Sequence, residues 1–286
     1  MNTTVDIKRA RAAESNVVAV RRRARKVPAL YETDASKYAG PHRWQTRWYA
    51  RLARRAWRGH AYTRWITEAF SQITVTGREH LPQVQDGPCI YIGNHTSHLD
   101  TLLIHAALPE RIRGDLYFGS AQDRWFVKGR KKLVLQPWYQ SLALGNFPIM
   151  RGGGRQALSY AEELLAGGHS IFLFPEGTRA QGDELGEFKH GVALLALKLG
   201  VPVLPIYLEG LQKLRPKGSK HVRRGPAAAH FLSPIAFAAG TATADATATL
   251  QAAMNAKHRE CLGLGDAADE TPTLAPTPTL GTPRAA

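Results

Sequence analysis

The sequence predicts an α/β fold: a largely parallel central sheet flanked by helices, preceded by an amphipathic helical pair. Three observations lead there. From about residue 72, short apolar runs alternate with segments of helical periodicity, the pattern of β–α–β units. Two polar motifs directly follow such apolar runs, at the carboxyl ends of strands where ligands of parallel sheets gather. Upstream, residues 42–70 interleave aromatic side chains and arginines at helical spacing.

In chain order, residues 1–40 form a polar, basic segment expected to be a disordered tail. Its run Arg21-Arg22-Arg23-Ala24-Arg25-Lys26 has no apolar periodicity. It reads either as a solvated tail or as an electrostatic tether, since each cation near an anionic membrane adds about 1 kcal/mol. Residues 41–71 differ in character. Four of the six tryptophans (Trp44, Trp48, Trp57 and Trp65) stand there among seven arginines. Trp44, Trp48, Leu52 and Ala56 form one stripe, and Gly59 is expected to end that helix. Tyr62, Trp65, Ile66, Ala69 and Phe70 form a second stripe. Such helices suit a membrane interface, with rings at headgroup level and arginines on lipid phosphates. A helical hairpin packed on the core is the alternative.

Residues 72–262 then read as one α/β domain. Strands are expected at Ile73–Val75, Ile90–Ile92, Leu116–Phe118, Phe147–Met150, Ile171–Phe174, Val203–Tyr207 and Ala229–Leu232. Helices are expected near Leu99–Leu108, Ala121–Lys131, Arg155–Ala166 and Gly191–Leu199, with an Ala-rich helical stretch from Thr241 to Leu262. Residues 263–286 are Pro/Thr-rich and expected to be disordered.

Composition narrows the partners. The 286 residues are 44% hydrophobic, enough for a full core, but the net charge is +15. That balance favours an anionic partner: nucleic acid, an anionic membrane surface or a phosphorylated substrate. No base-reading module accompanies the charge, so no nucleic-acid partner is expected. The two cysteines, Cys89 and Cys261, form neither a metal spacing nor a disulfide framework and point to a reducing compartment. The longest apolar stretch, Val192 to Leu208, is broken by Lys198, Gly200, Pro202 and Pro205, short of the about 20 apolar residues of a membrane span.

The chemistry concentrates in Asn94-His95-Thr96-Ser97-His98-Leu99-Asp100, after the run Cys89 to Gly93. Thr96 and Ser97 are good helix caps. His95 falls in the turn and Asp100 in the first helical turn, so the two can meet. Asp100 would fix the imidazole tautomer and stabilise its charged form, letting His95 take a proton from a hydroxyl. His95, His98 and Asp100 also spell a possible zinc string, but no further cluster completes it. The second motif, Glu176-Gly177-Thr178-Arg179, follows the run Ile171 to Phe174 and could bind an anion through backbone N–H groups and the guanidinium.

Taken together, Asn94-His95 with four residues before Asp100, and Phe174-Pro175-Glu176-Gly177-Thr178-Arg179 about eighty residues on, resemble the glycerolipid (lysophospholipid) acyltransferase family. Gly145 to Arg151 is similar to its second block, Val201 to Ile206 to its fourth, and Phe188-Lys189-His190-Gly191 to its usual continuation. The resemblance spans roughly residues 70–235. It implies acyl transfer from a thioester of coenzyme A or acyl carrier protein, with no resident cofactor and no acyl-enzyme. His95 and Asp100 would be catalytic. Glu176, Gly177, Thr178, Arg179, Arg151, Asn94 and Lys189 would bind the substrate, with Asn94 positioning the His95 loop or lining an oxyanion pocket. The implied acceptor is a lysophospholipid, 1-acyl-sn-glycerol 3-phosphate going to phosphatidic acid, with another lysolipid or a glycolipid as alternatives. Without a spanning segment, the enzyme is expected to sit peripherally on the cytoplasmic face of an anionic membrane. The rival from another class is a non-catalytic basic protein that binds membrane or nucleic acid.

Overall fold

The computed structural model describes residues 36–81, 87–180, 184–216, 218–219 and 221–264. The basic run at 21–26 and nearly all of the Pro/Thr-rich segment lie outside the described residues. A seven-stranded sheet runs through the domain, its strands β1 (Phe70–Thr76), β2 (Ile90–Gly93), β3 (Leu116–Ala121), β4 (Asn146–Ile149), β5 (Ser170–Leu173), β6 (Val203–Glu209) and β7 (Gly225–Phe231). Their spatial order is β1-β7-β6-β2-β5-β3-β4. Every neighbouring pair is parallel except β6 with β7. Each strand lies on one of the seven expected apolar runs.

Both faces of the sheet are covered, which is why the central runs are apolar throughout rather than alternating. Tyr91, Phe118, Phe172, Leu204 and Ile206 point to one core with Leu99, Leu103 and Ile104. Ile90, Ile92, Tyr117, Ile171, Leu173 and Val203 point to the other. The longer helices are α1 (Trp48–Ala69), α2 (Asp100–Ala107), α3 (Pro137–Ala143), α4 (Ser159–Ala166), α5 (Gly191–Leu199) and α6 (Thr243–Cys261). The helix expected over Ala121–Lys131 shrinks to a single turn, Gln122–Trp125. There the backbone turns to the segment before α1 instead: Ala39 N donates to Phe126 O, Lys128 N donates to Lys37 O, and Tyr38 bridges Val127. The stretch expected as a helix from Arg155 begins as a 3-10 turn over Gly154–Leu158 before α4 takes over.

The N-terminal helical pair resolves differently in detail. A short 3-10 turn, Arg43–Thr46, leads into α1, which runs unbroken through Gly59 for 22 residues. An interior glycine costs about 1 kcal/mol against alanine, and packing offsets it. Arg54 and Arg58 are buried rather than lipid-facing. Arg54 donates to the carbonyls of Gln45, Ser141 and Leu142, and Arg58 to those of Arg113, Ala143 and Leu144. The four from Ser141 to Leu144 are the unpaired carbonyls at the C-terminus of α3, where the helix dipole is negative. The opposite face of α1 is open: Trp48 is 75% and Leu52 61% exposed. Among the described residues, no helix is long and apolar enough to cross a membrane.

Candidate active site

Because β2 and β5 are adjacent and parallel, with Ile92 opposite Leu173, the two motifs leave the sheet side by side. Gly93 ends β2 where a β-carbon would stand 2.8 Å from the Phe172 ring and 3.2 Å from the Ile206 carbonyl oxygen, so only glycine fits. The next residue, Asn94, is buried and anchors the turn to β6: its amide donates to Leu208 O at 2.9 Å and accepts from Leu208 N at 2.7 Å.

His95 Nδ1 lies 2.7 Å from Asp100 Oδ2. Asp100 is fully buried, whereas the His95 side chain keeps 22% of its surface exposed. The carboxylate also accepts Thr96 N at 2.9 Å and Ser97 N at 3.0 Å. Asp100 thus pins the loop before the helix, while Ser97 Oγ accepts Leu99 N at 3.3 Å at the helix entry. The helix starts at Asp100 itself, Leu99 caps it without a side-chain bond, and Ser97 Oγ donates to Arg215 O. A carboxylate between the loop N–H groups and Nδ1 assigns the ring proton to Nδ1 and leaves Nε2 as the basic atom. Phe174 stacks on the imidazole with centroids 4.1 Å apart.

Glu176 is buried and bridges two loops: its Oε1 accepts His95 N at 2.8 Å and its Oε2 accepts Gly186 N at 3.0 Å. Burial raises its carboxyl above the ordinary value, opposed by those two backbone donors. It holds the His95 backbone from the strand-end turn of the second motif. Gly177, at φ +70°, and Thr178 are exposed at the turn, and the exposed Lys189 folds over Gly177. Arg179 is half-buried. Desolvation lowers its pKa first, the nearby Arg124 charge next, with Arg215 adding to the repulsion against the opposing pull of Asp100.

Arg151 does not join that turn directly. It is ion-paired to Asp123, with Nε 3.1 Å from Oδ1, so its charge is partly neutralised. The neighbouring Arg124 reaches His98 Nε2 at 3.1 Å. His98 has its pKa pushed down to about 4 by burial and then by Arg179, Arg124 and Arg215. A basic group of three arginines thus surrounds it beside His95. Nothing in the sequence pattern marked Arg124 or Arg215, because neither falls in a motif. His95, His98 and Asp100 do not gather as a metal-holding group among the described residues. Cys89 is an inert buried thiol, its pKa pushed up to about 12 by burial.

Comparison with known proteins covers the same region. Residues 72–209 match the family model described as Acyltransferase. A chloroplastic 1-acyl-sn-glycerol-3-phosphate acyltransferase from Brassica napus is 35% identical over 156 residues, 54% of this chain and 42% of that protein. A 1-acyl-sn-glycerol-3-phosphate acyltransferase from Pseudomonas aeruginosa is 28% identical over 151 residues, 50% of this chain and 52% of its own. The chain thus spans about half the length of such relatives, or less. The crystal structure of the 1-acyl-sn-glycerophosphate acyltransferase PlsC from Thermotoga maritima superposes with a TM-score of 0.56 at 25% identity, over 74% of this chain and 80% of that one.

Proposed function

Residues 72–209 belong to the acyltransferase family, and from that premise we propose that the protein moves a fatty acyl group from an acyl thioester to a lysophospholipid hydroxyl. The acceptor is 1-acyl-sn-glycerol 3-phosphate and the product phosphatidic acid. The donor is acyl-coenzyme A or acyl-acyl carrier protein, a co-substrate, and no resident cofactor takes part. The observation that carries the reading is the pairing of His95 with a fully buried Asp100 at 2.7 Å.

His95 Nε2 accepts the proton of the acceptor hydroxyl as its oxygen attacks the thioester carbonyl. The carbon–sulfur bond then breaks, and the imidazolium returns the proton to the leaving thiolate, so no acyl-enzyme forms. Asp100 stabilises the imidazolium. Asn94 and Glu176 fix the loop from either side through Leu208 and His95 N. Arg179, Lys189 and the Gly177-Thr178 turn form the cationic side that takes the acceptor phosphate, with Arg151 behind them. The repulsion that Arg124 and Arg215 exert on Arg179 supports an anionic acceptor.

The protein works as a peripheral enzyme on the cytoplasmic face of an anionic membrane. Supporting this, α1 turns Trp48, Tyr49 and Leu52 to solvent, and Leu133, Val134 and Trp138 are exposed as well. Trp57 of α1 packs edge-on against Tyr139 of α3, which joins these surfaces. Aromatic and apolar side chains among cations suit a headgroup region.

The test is thiol release from palmitoyl-coenzyme A by purified protein on mixed liposomes, with and without 1-acyl-glycerol 3-phosphate, beside His95→Ala. Release should need the acceptor and vanish in the variant. Activity that survives His95→Ala overturns the mechanism. Release with only another lysolipid or a glycolipid keeps the class and overturns the acceptor.

A further inference from the structure

A second polar cluster lies away from the His95 site, where α6 ends over the antiparallel pair of the sheet. Tyr207 pairs with His230 across β6 and β7, which brings Glu209 diagonally beside the histidine on the same face. His230 Nε2 stands 3.2 Å from Glu209 Oε2. Cys261, the last residue of α6, completes the group: one ligand atom each from Glu209, His230 and Cys261 lie within 4.8 Å of one another. Lining the open side is a cavity of ≈ 740 Å³ that includes His230, Thr76, His80, Lys257 and Glu260.

We infer that Glu209, His230 and Cys261 form a binding site for a borderline-soft divalent cation of the zinc class, which clamps the end of α6 to β6 and β7. The donor set is the first reason. A thiolate, an imidazole and a carboxylate are the three ligand types that Zn2+ takes, and three protein ligands leave a fourth position for water. The cavity beside His230 gives that position access to solvent. Spacing is the second. Zinc–ligand bonds of about 2.0–2.3 Å imply ligand atoms about 3.3–3.8 Å apart in a tetrahedron. The His230–Glu209 separation of 3.2 Å is already there, and with Cys261 within 4.8 Å at most about 1 Å of side-chain movement closes the group.

The third reason is orientation. Thr76 Oγ1 lies 2.8 Å from His230 Nδ1, and a partner on Nδ1 is what fixes a metal-binding imidazole with Nε2 as ligand atom. Without a cation, Glu209 is approached by both the His230 ring and the Cys261 thiol. A cation displaces the thiol proton and turns the same contact into attraction. The nearby Lys257 does not fill the role, because its ammonium is engaged by Glu260 at 2.6 Å. His258 is likewise engaged, with Nδ1 2.8 Å from the Tyr207 hydroxyl.

The test is titration of the full chain with Co2+ in chelator-treated buffer and a thiol-free reductant. One equivalent should give a thiolate-to-cobalt charge-transfer band in the near ultraviolet that Zn2+ abolishes, and Zn2+ should raise the melting temperature. Cys261→Ser should lose both the band and the Zn2+ shift. Glu209→Gln, at a side chain 46% exposed, keeps the fold intact and should weaken Co2+ binding by about tenfold or more. Absence of the band at millimolar Co2+ overturns the site. So does a band that persists in Cys261→Ser, since the thiolate would then lie elsewhere, and so does Glu209→Gln binding as tightly as wild type.

Discussion

Asp100→Asn separates the charge of Asp100 from its shape. Oδ2 accepts His95 Nδ1 at 2.7 Å and Thr96 N at 2.9 Å, and Ser97 N is shared by both oxygens at 3.0 Å. An amide placed with its oxygen at Oδ2 keeps all three donors. Its NH2 then falls at Oδ1, beside the Thr96 hydroxyl 3.4 Å away, which can accept. The fold gives up half of one shared bond, about 0.5–1.5 kcal/mol, and the imidazole keeps its tautomer. What disappears is the negative charge. Opposite charges about 4 Å apart at an effective dielectric constant of about 20 attract by about 4 kcal/mol. At about 1.36 kcal/mol per decade that is about a thousandfold in rate. The expected outcome in the thiol-release assay is kcat down about 10³-fold with KM within about threefold of wild type. The melting temperature should fall by only about 2–4 °C. A folded variant with kcat within about tenfold of wild type refutes an imidazolium forming beside Asp100.

Three further outcomes follow from burial. His105 is fully buried, with no hydrogen-bond partner on either ring nitrogen among the described residues, between the Tyr62 and Phe118 rings. His105→Phe should therefore raise stability by about 1–3 kcal/mol in urea unfolding at pH 7. Burial holds the His105 pKa well below 6.5 in the folded state, so the unfolded chain binds the extra proton. Wild-type stability is then lost as pH falls below that value, and the phenylalanine variant should show a shallower loss between pH 7 and about 5. Arg54→Met strands the carbonyls of Gln45, Ser141 and Leu142. It should cost about 3–5 kcal/mol by denaturant unfolding, whereas Arg64→Ala, at a side chain 80% exposed, should leave the unfolding midpoint unchanged. Trp48→Ser with Leu52→Ser should leave melting unchanged and weaken sedimentation with anionic vesicles about tenfold or more; unchanged vesicle binding removes α1 from the membrane contact.

The sheet was legible because its signal is local: seven apolar runs bounded by turn residues, the inner ones buried on both faces. The His95–Asp100 contact was legible for the same reason, five residues across one bend. What escaped was non-local. The break expected at Gly59 weighed a propensity of about 1 kcal/mol without the carbonyls of α3 that Arg54 and Arg58 meet some 85–88 residues away. The role of Glu176 escaped because its partner is the His95 backbone N–H, which carries no sequence signal. Arg124 and Arg215 escaped because only the fold brings them to His98.

Net charge of +15 pointed to an anionic partner, but the cations divide into groups of different use. Arg54 and Arg58 are consumed by backbone carbonyls inside the protein. Arg43, Arg51 and Arg151 are paired with Glu163, Asp115 and Asp123. The arginines around His98 add mutual repulsion: after desolvation, Arg124 and Arg215 both push the Arg179 pKa down against the pull of Asp100. Like charges held together cost free energy unless an anion sits among them. A phosphate on the acceptor relieves that repulsion in the bound state alone. Under the proposed function, that relief concentrates the acceptor's affinity near His95 rather than spreading it over the basic surface, and brings its hydroxyl toward Nε2.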